Sequence, residues 1–142
     1  MTDARTRALH SLVRLRKTEV DHARSAMARA MAEEHAAGAL VESRLALIDS
    51  EQREASLGHA SLDDFRAWLP AGVDAVERAR AALDVARQAS DQARGMLMQA
   101  NAALKAAEAI LDKRLEEERE ARARREQAEL DDLSRRNRAF ST

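Results

Sequence analysis

The chain has no cysteine and no tyrosine, and its 142 residues include one tryptophan, two phenylalanines, one proline and four glycines. Without cysteine there are no disulfides and no thiolate metal sites, which fits a reducing compartment. Scarce aromatics and turn residues argue against a compact mixed domain, which uses both freely. No stretch approaches the roughly 18 consecutive apolar residues of a bilayer span. The opening MTDARTRALHSLVRLRK lacks the apolar centre of a signal peptide. The formal net charge is −1, so no global field draws the chain toward nucleic acid or a membrane. These absences lead us to expect a soluble, cytoplasmic protein.

What remains is Ala, Glu, Arg and Leu with 35% charged residues, the composition of long helices and coiled coils. In the second half, Leu69, Val76, Leu83, Ser90, Leu97, Leu104 and Leu111 recur every seven residues. Gly72, Ala79, Ala86, Ala93, Ala100 and Ala107 follow three positions after the first six. This is an a/d heptad in which small residues let a partner helix approach closely. Ser90 is its one polar a position, either setting register or simply tolerated. The first half has a looser seam of Val20, Ala23, Met27, Ala30, Ala37, Val41, Leu45 and Ile48, preceded by Leu9, Leu12 and Val13. Glu34 interrupts its three-four rhythm and the step from Val41 to Leu45 shifts it, so one irregular stretch is expected.

The best break is SEQREASLGHAS. Gly58 suits the left-handed position just past a helix end. Ser61 with Asp64 three residues on resembles a capping box, so the second helix should start at Leu62. Pro70 then lies about two turns inside it, where it removes a donor and clashes with the Arg66 carbonyl. A kink is expected there, the alternative being a separate short helix over 62–69. The pattern predicts an all-α fold: one long antiparallel two-helix coiled-coil hairpin, with helix one over 4–56, a turn at 57–61 and helix two over 62–138. Facing residues should carry numbers summing to roughly 118, so helix two should run on unpaired from about residue 113. In that projection Glu118–Arg122, Glu120–Arg124, Asp131–Arg135 and Asp132–Arg136 are spaced for lateral ion pairs.

SLDDFRAWLP, residues 61–70, concentrates Phe65, the lone Trp68 and the lone Pro70 at the hairpin tip. The residues expected opposite, around Arg53 to Ser56, are almost wholly polar. Leu62, Phe65, Trp68 and Leu69 therefore read as a surface held for a partner. The alternative is a loop that folds back over them through Leu57. Charge also divides: residues 1–29 carry seven basic against three acidic side chains, and residues 30–60 two against six. Different partners at the two ends would follow from such polarity.

Chemistry-bearing patterns are missing. His10, His22, His35 and His59 are too dispersed for a zinc set, and no glycine-rich phosphate cradle occurs. Arginines in REARARRE alternate with glutamates and have no aromatic beside them to stack bases, so nucleic-acid binding is not expected. Met27, Met31, Met96 and Met98 read as seam or flank. Neither an enzyme nor a cofactor is implied.

The opening LHSLVRLRKTEVDHARSAMARA, the tip LDDFRAWL and the ending EAILDKRLEEEREARARREQAELDDLSRRNRAF resemble FliJ, the small coiled-coil component of the flagellar type III export ATPase complex. The likeness spans nearly the whole chain and is mostly one of layout. It implies a non-enzymatic stalk whose open end enters the hexameric export ATPase, promotes its assembly and couples it to the cytoplasmic domain of the membrane export gate. The ATPase-facing residues would be Arg5, Arg7, Arg14, Arg16, Arg119, Arg122, Arg124 and Arg125. The gate-binding tip would include Phe65 and Leu69, with Leu40 and Leu47 from helix one, and the apolar pattern of the tip itself adds Leu62 and Trp68. Two further family positions on helix one fall on Arg44 and Glu51, a departure that weakens that helix's share. Recycling of export chaperones is also implied. Other readings are the equivalent stalk of a virulence type III secretion system, or a prefoldin-like holdase.

Overall fold

A computed structural model describes residues 3–141. It is all-α, with helices α1 (Ala4–Ser56) and α2 (Leu62–Phe140) packed together and no strand among the described residues. The chain divides into two compact units. One spans Asp21–Gln99, and the other joins the residues up to Val20 with those from Ala100 onward.

The unit over 21–99 is itself a helical hairpin, and its turn is built as the glycine requires. Gly58 has φ 81°. Its N–H reaches the Ala55 carbonyl at 3.2 Å, and the His59 N–H reaches Glu54 at 3.0 Å. Those two bonds form a Schellman motif, which satisfies carbonyls left over at the end of α1. Ser61 accepts the Asp64 N–H on its hydroxyl at 3.3 Å and so caps α2. Beyond the turn, Glu34 lies 4.0 Å from Arg87, while Val41 and Leu83 line one groove. Residue numbers rise along α1 as they fall along α2, so the pair is antiparallel.

The α2 heptad appears directly in burial. Gly72, Val76, Ala79 and Ser90 are buried, and Leu83, Ala86, Ala93 and Leu97 are half-buried. Ser90 is 1% exposed and its Oγ has no hydrogen-bond partner among the described residues. It is therefore a polar atom desolvated without compensation, not one that reads register through a bond. In α1 the expected irregular stretch is absent. Met27, Glu34, Val41, Ile48 and Ala55 are each less exposed than their neighbours, an unbroken seven-residue step. Glu34 occupies a seam position without disturbing it, because its long stem packs while its carboxylate reaches outward to Arg87. Leu45, expected in the seam, is 37% exposed and lies beside it.

Pro70 does not split α2, which runs unbroken from Leu62 to Phe140. Both Pro70 and Arg66 are exposed, so the carbonyl that loses its intrahelical donor can be hydrated.

In the other unit, Val13, Ala107 and Leu111 form a buried cluster with Leu9, Leu12, Leu104 and Leu115 against it. Thr6, wholly buried, donates its hydroxyl to the Glu118 carboxylate. Asp3 meets Arg114 at 2.5 Å. Pairing therefore continues past the expected end at 113, as far as the half-buried Ala121. Thr6 reaches Glu118, beyond the predicted register on α2, whereas the Asp3–Arg114 pair keeps to it. From Arg122 to Ser141 every residue is exposed. α2 ends at Phe140 rather than 138, since Ser141 donates its hydroxyl to the Asn137 carbonyl at 2.7 Å and its N–H to that of Arg138 at 3.3 Å.

Candidate functional site

In the 21–99 unit, Leu62 is 48% exposed, whereas Phe65, Trp68 and Leu69 are half-buried. Leu57 is 67% exposed, so the loop does not fold back over the aromatics. Trp68 instead finds a seat on its own helix. The Trp68 ring lies over Gly72, one turn on, so closely that a Cβ there would stand 2.8 Å from its Cη2. Phe65 and Trp68 stack obliquely, ring centres 6.2 Å apart at 38°. The tip thus presents a preformed aromatic pair that is neither sealed in a core nor wholly in water.

Gly72 was legible as a small seam residue, but its role as a seat for indole was not. The clue was its spacing: residues four apart are neighbours on a helix face, and a glycine there leaves room for indole. Leu69, Pro70 and Val73 line an adjoining groove on α2 with Arg66, Asp74 and Glu77. On α1, Leu40 and Leu47 are 43% and 40% exposed. Arg44 and Glu51 are also exposed, so charge interrupts the apolar surface on that helix.

In the other unit, the arginines singled out from sequence do not form one cluster. Arg5 lines a groove with Leu9, Leu12, Ile110, Lys113 and Arg114. Arg7 is exposed, Arg14 donates to Ser11 at 3.0 Å, and Arg16 pairs with Glu19 at 2.9 Å. Arg119 pairs with Glu116 at 2.6 Å, while Arg122, Arg124 and Arg125 are exposed. The hub is a residue that sequence reading passed over, Arg114. It binds Asp3 at 2.5 Å and lies 3.8 Å from both Glu117 and Glu118. The Arg114 guanidinium holds the Asp3 carboxyl below its ordinary pKa by hydrogen bonding to the ionised form.

Among the spaced tail pairs, Asp132–Arg136 closes at 3.3 Å. Glu118 is instead turned to Thr6 and Arg114, and Asp131 accepts from Gln127 at 3.1 Å. Among the described residues no cluster of three His, Cys, Asp or Glu could hold a metal ion. No described helix is long and apolar enough to cross a membrane.

Paired heptad helices and no strand among the described residues define a coiled-coil protein. A family model described as the flagellar FliJ protein matches residues 5–139. The chain belongs to the FliJ family and is a flagellar export-related protein. No curated protein and no solved structure matches it.

Proposed function

We propose that this chain is a non-enzymatic stalk of the flagellar type III export apparatus, working in the cytoplasm at the membrane-associated machine. It enters the hexameric export ATPase ring, promotes ring assembly and activity, and links the ring to the cytoplasmic domain of the membrane export gate. Recycling of export chaperones belongs to the same role. The observation that carries this reading is family membership over residues 5–139.

Two features of the molecule suit the division of labour. Leu62, Phe65, Trp68 and Leu69, with Leu40 and Leu47, offer apolar anchors for the gate, and aromatic anchors dominate most interfaces. Arg5, Arg7, Arg14, Arg16, Arg119, Arg122, Arg124 and Arg125 offer guanidinium groups for the ring, whose carboxylates they could meet bidentately. The helix beyond Ala121 is wholly exposed, so it is available to a partner without unpacking the core around Val13 and Leu111.

The test is stimulation of ATP hydrolysis by the purified export ATPase. The full chain should stimulate it, and a chain ending at Ala121 should retain its helical pairing but lose stimulation. Full stimulation by the shortened chain would remove ring insertion through this segment.

A further inference from the structure

The exposed end of α2 carries an apolar stripe that the a/d seam does not account for. Leu130, Leu133 and Phe140 are 59%, 54% and 89% exposed. With Ala123, Glu126 and Asn137, also exposed, they repeat at alternating steps of three and four. On a helix these six positions fall within an arc of about 100°. This is a second heptad, with Ala123, Leu130 and Asn137 at a and Glu126, Leu133 and Phe140 at d.

We propose that this stripe pairs with the same stripe of a second copy of the chain, antiparallel and about a two-fold axis between Leu130 and Leu133. In that register every layer is complementary. Leu130 faces the second copy's Leu133, and the bulky Phe140 faces its small Ala123. Glu126 faces Asn137, whose amide can donate to the carboxylate. Glu129 and Arg136 flank the seam and meet across it twice, each reaching toward its own N-terminus and hence toward the other. Arg136 already bonds Asp132 at 3.3 Å, yet stays 69% exposed with donors to spare. The parallel arrangement is unfavourable, because it stacks Glu126 on Glu126 in the seam and leaves Glu129 and Arg136 beside serines. Charge and size thus select both the occupant and its direction. A C2 pairing is self-complementary, as identical chains require.

The pairing goes beyond the proposed stalk role and would compete with it, since the same helix end cannot enter a ring while covered by a copy. Its test needs no export component. Sedimentation of the full chain should show a concentration-dependent dimer. Leu130→Asp with Leu133→Asp should stay monomeric at the same helical content. Glu129→Arg alone, or Arg136→Glu alone, should weaken the dimer by about tenfold, since each reverses two ion pairs. An equimolar mixture of those two variants should recover it, because each restores the other's partners. The chain has no cysteine, so direction can be read by cross-linking. Ala123→Cys mixed with Phe140→Cys should give the mixed disulfide. Disulfides of Ala123→Cys with itself would mean parallel pairing and overturn the proposal. So would a monomer at every concentration, which would leave the stripe to a different partner, or a dimer that survives both aspartates.

Discussion

Adding one methyl group at Gly72 separates two effects that coincide at other helical glycines. Glycine inside a helix costs about 1 kcal/mol relative to alanine. At Gly38 and Gly95 a new Cβ would meet nothing within 4 Å. Each substitution there by Ala should therefore raise stability by about 1 kcal/mol. At Gly72 the new Cβ would stand 2.8 Å from Trp68 Cη2 and 3.1 Å from Cζ2 and Cζ3. The indole must swing aside, losing its cover and its oblique contact with Phe65. An aromatic pair is worth about 0.5–1.5 kcal/mol beyond area, and lost burial adds to that. Gly72→Ala should thus fall about 1–2 kcal/mol below Gly95→Ala, near zero or slightly destabilising overall. Urea melts give the stabilities, and Trp68, the only tryptophan, gives the location by fluorescence. Gly72→Ala should shift emission to the red, and Gly38→Ala and Gly95→Ala should leave it unchanged. Equal stabilisation at Gly72 and Gly95 with unchanged emission would refute the seat.

Ser90→Ala should stabilise the chain by about 1 kcal/mol, because it removes a buried hydroxyl that has no partner; loss of stability in melts would show that the hydroxyl is bonded. Leu111→Ala, at an 8% exposed position, should cost about 2–4 kcal/mol, and Leu97→Ala, half-buried, about half as much; equal costs would contradict the burial pattern. Arg114 depresses the Asp3 pKa, so this pair's contribution is present above the ordinary value of 3.8 and lost as pH falls through the lower folded value. An NMR titration of the Asp3 carboxyl should show that depression and lose it in Arg114→Gln.

The α2 seam and the turn were legible because each rests on local chemistry. Leucine every seventh residue leaves one face to bury, and Gly58 with Ser61 supplies the two helix ends. Glu34 misled because hydropathy counts its carboxylate, whereas the seam accepts its methylene stem. The tip was half legible. Polar residues opposite Phe65 do signal incomplete cover, but Trp68 finds shelter on Gly72 of its own helix, a contact that a facing-residue rule overlooks. Arg114 was missed for a similar reason: its partners include Asp3, 111 positions away. The start of the uncovered segment was off by about two turns, since Thr6 meets Glu118 and burial continues to Ala121.

The central claim is that one chain links the ATPase to the export gate through different residues, so the most direct measurement is reconstitution of all three components. Size-exclusion chromatography with light scattering should show the chain in one complex with the hexameric ATPase and the gate's cytoplasmic domain. Phe65→Ser with Trp68→Ser should release the gate domain and keep the ATPase. The chain ending at Ala121 should do the reverse. Loss of both partners from either variant in a still-helical chain, or no ternary complex with the intact chain, would contradict the account.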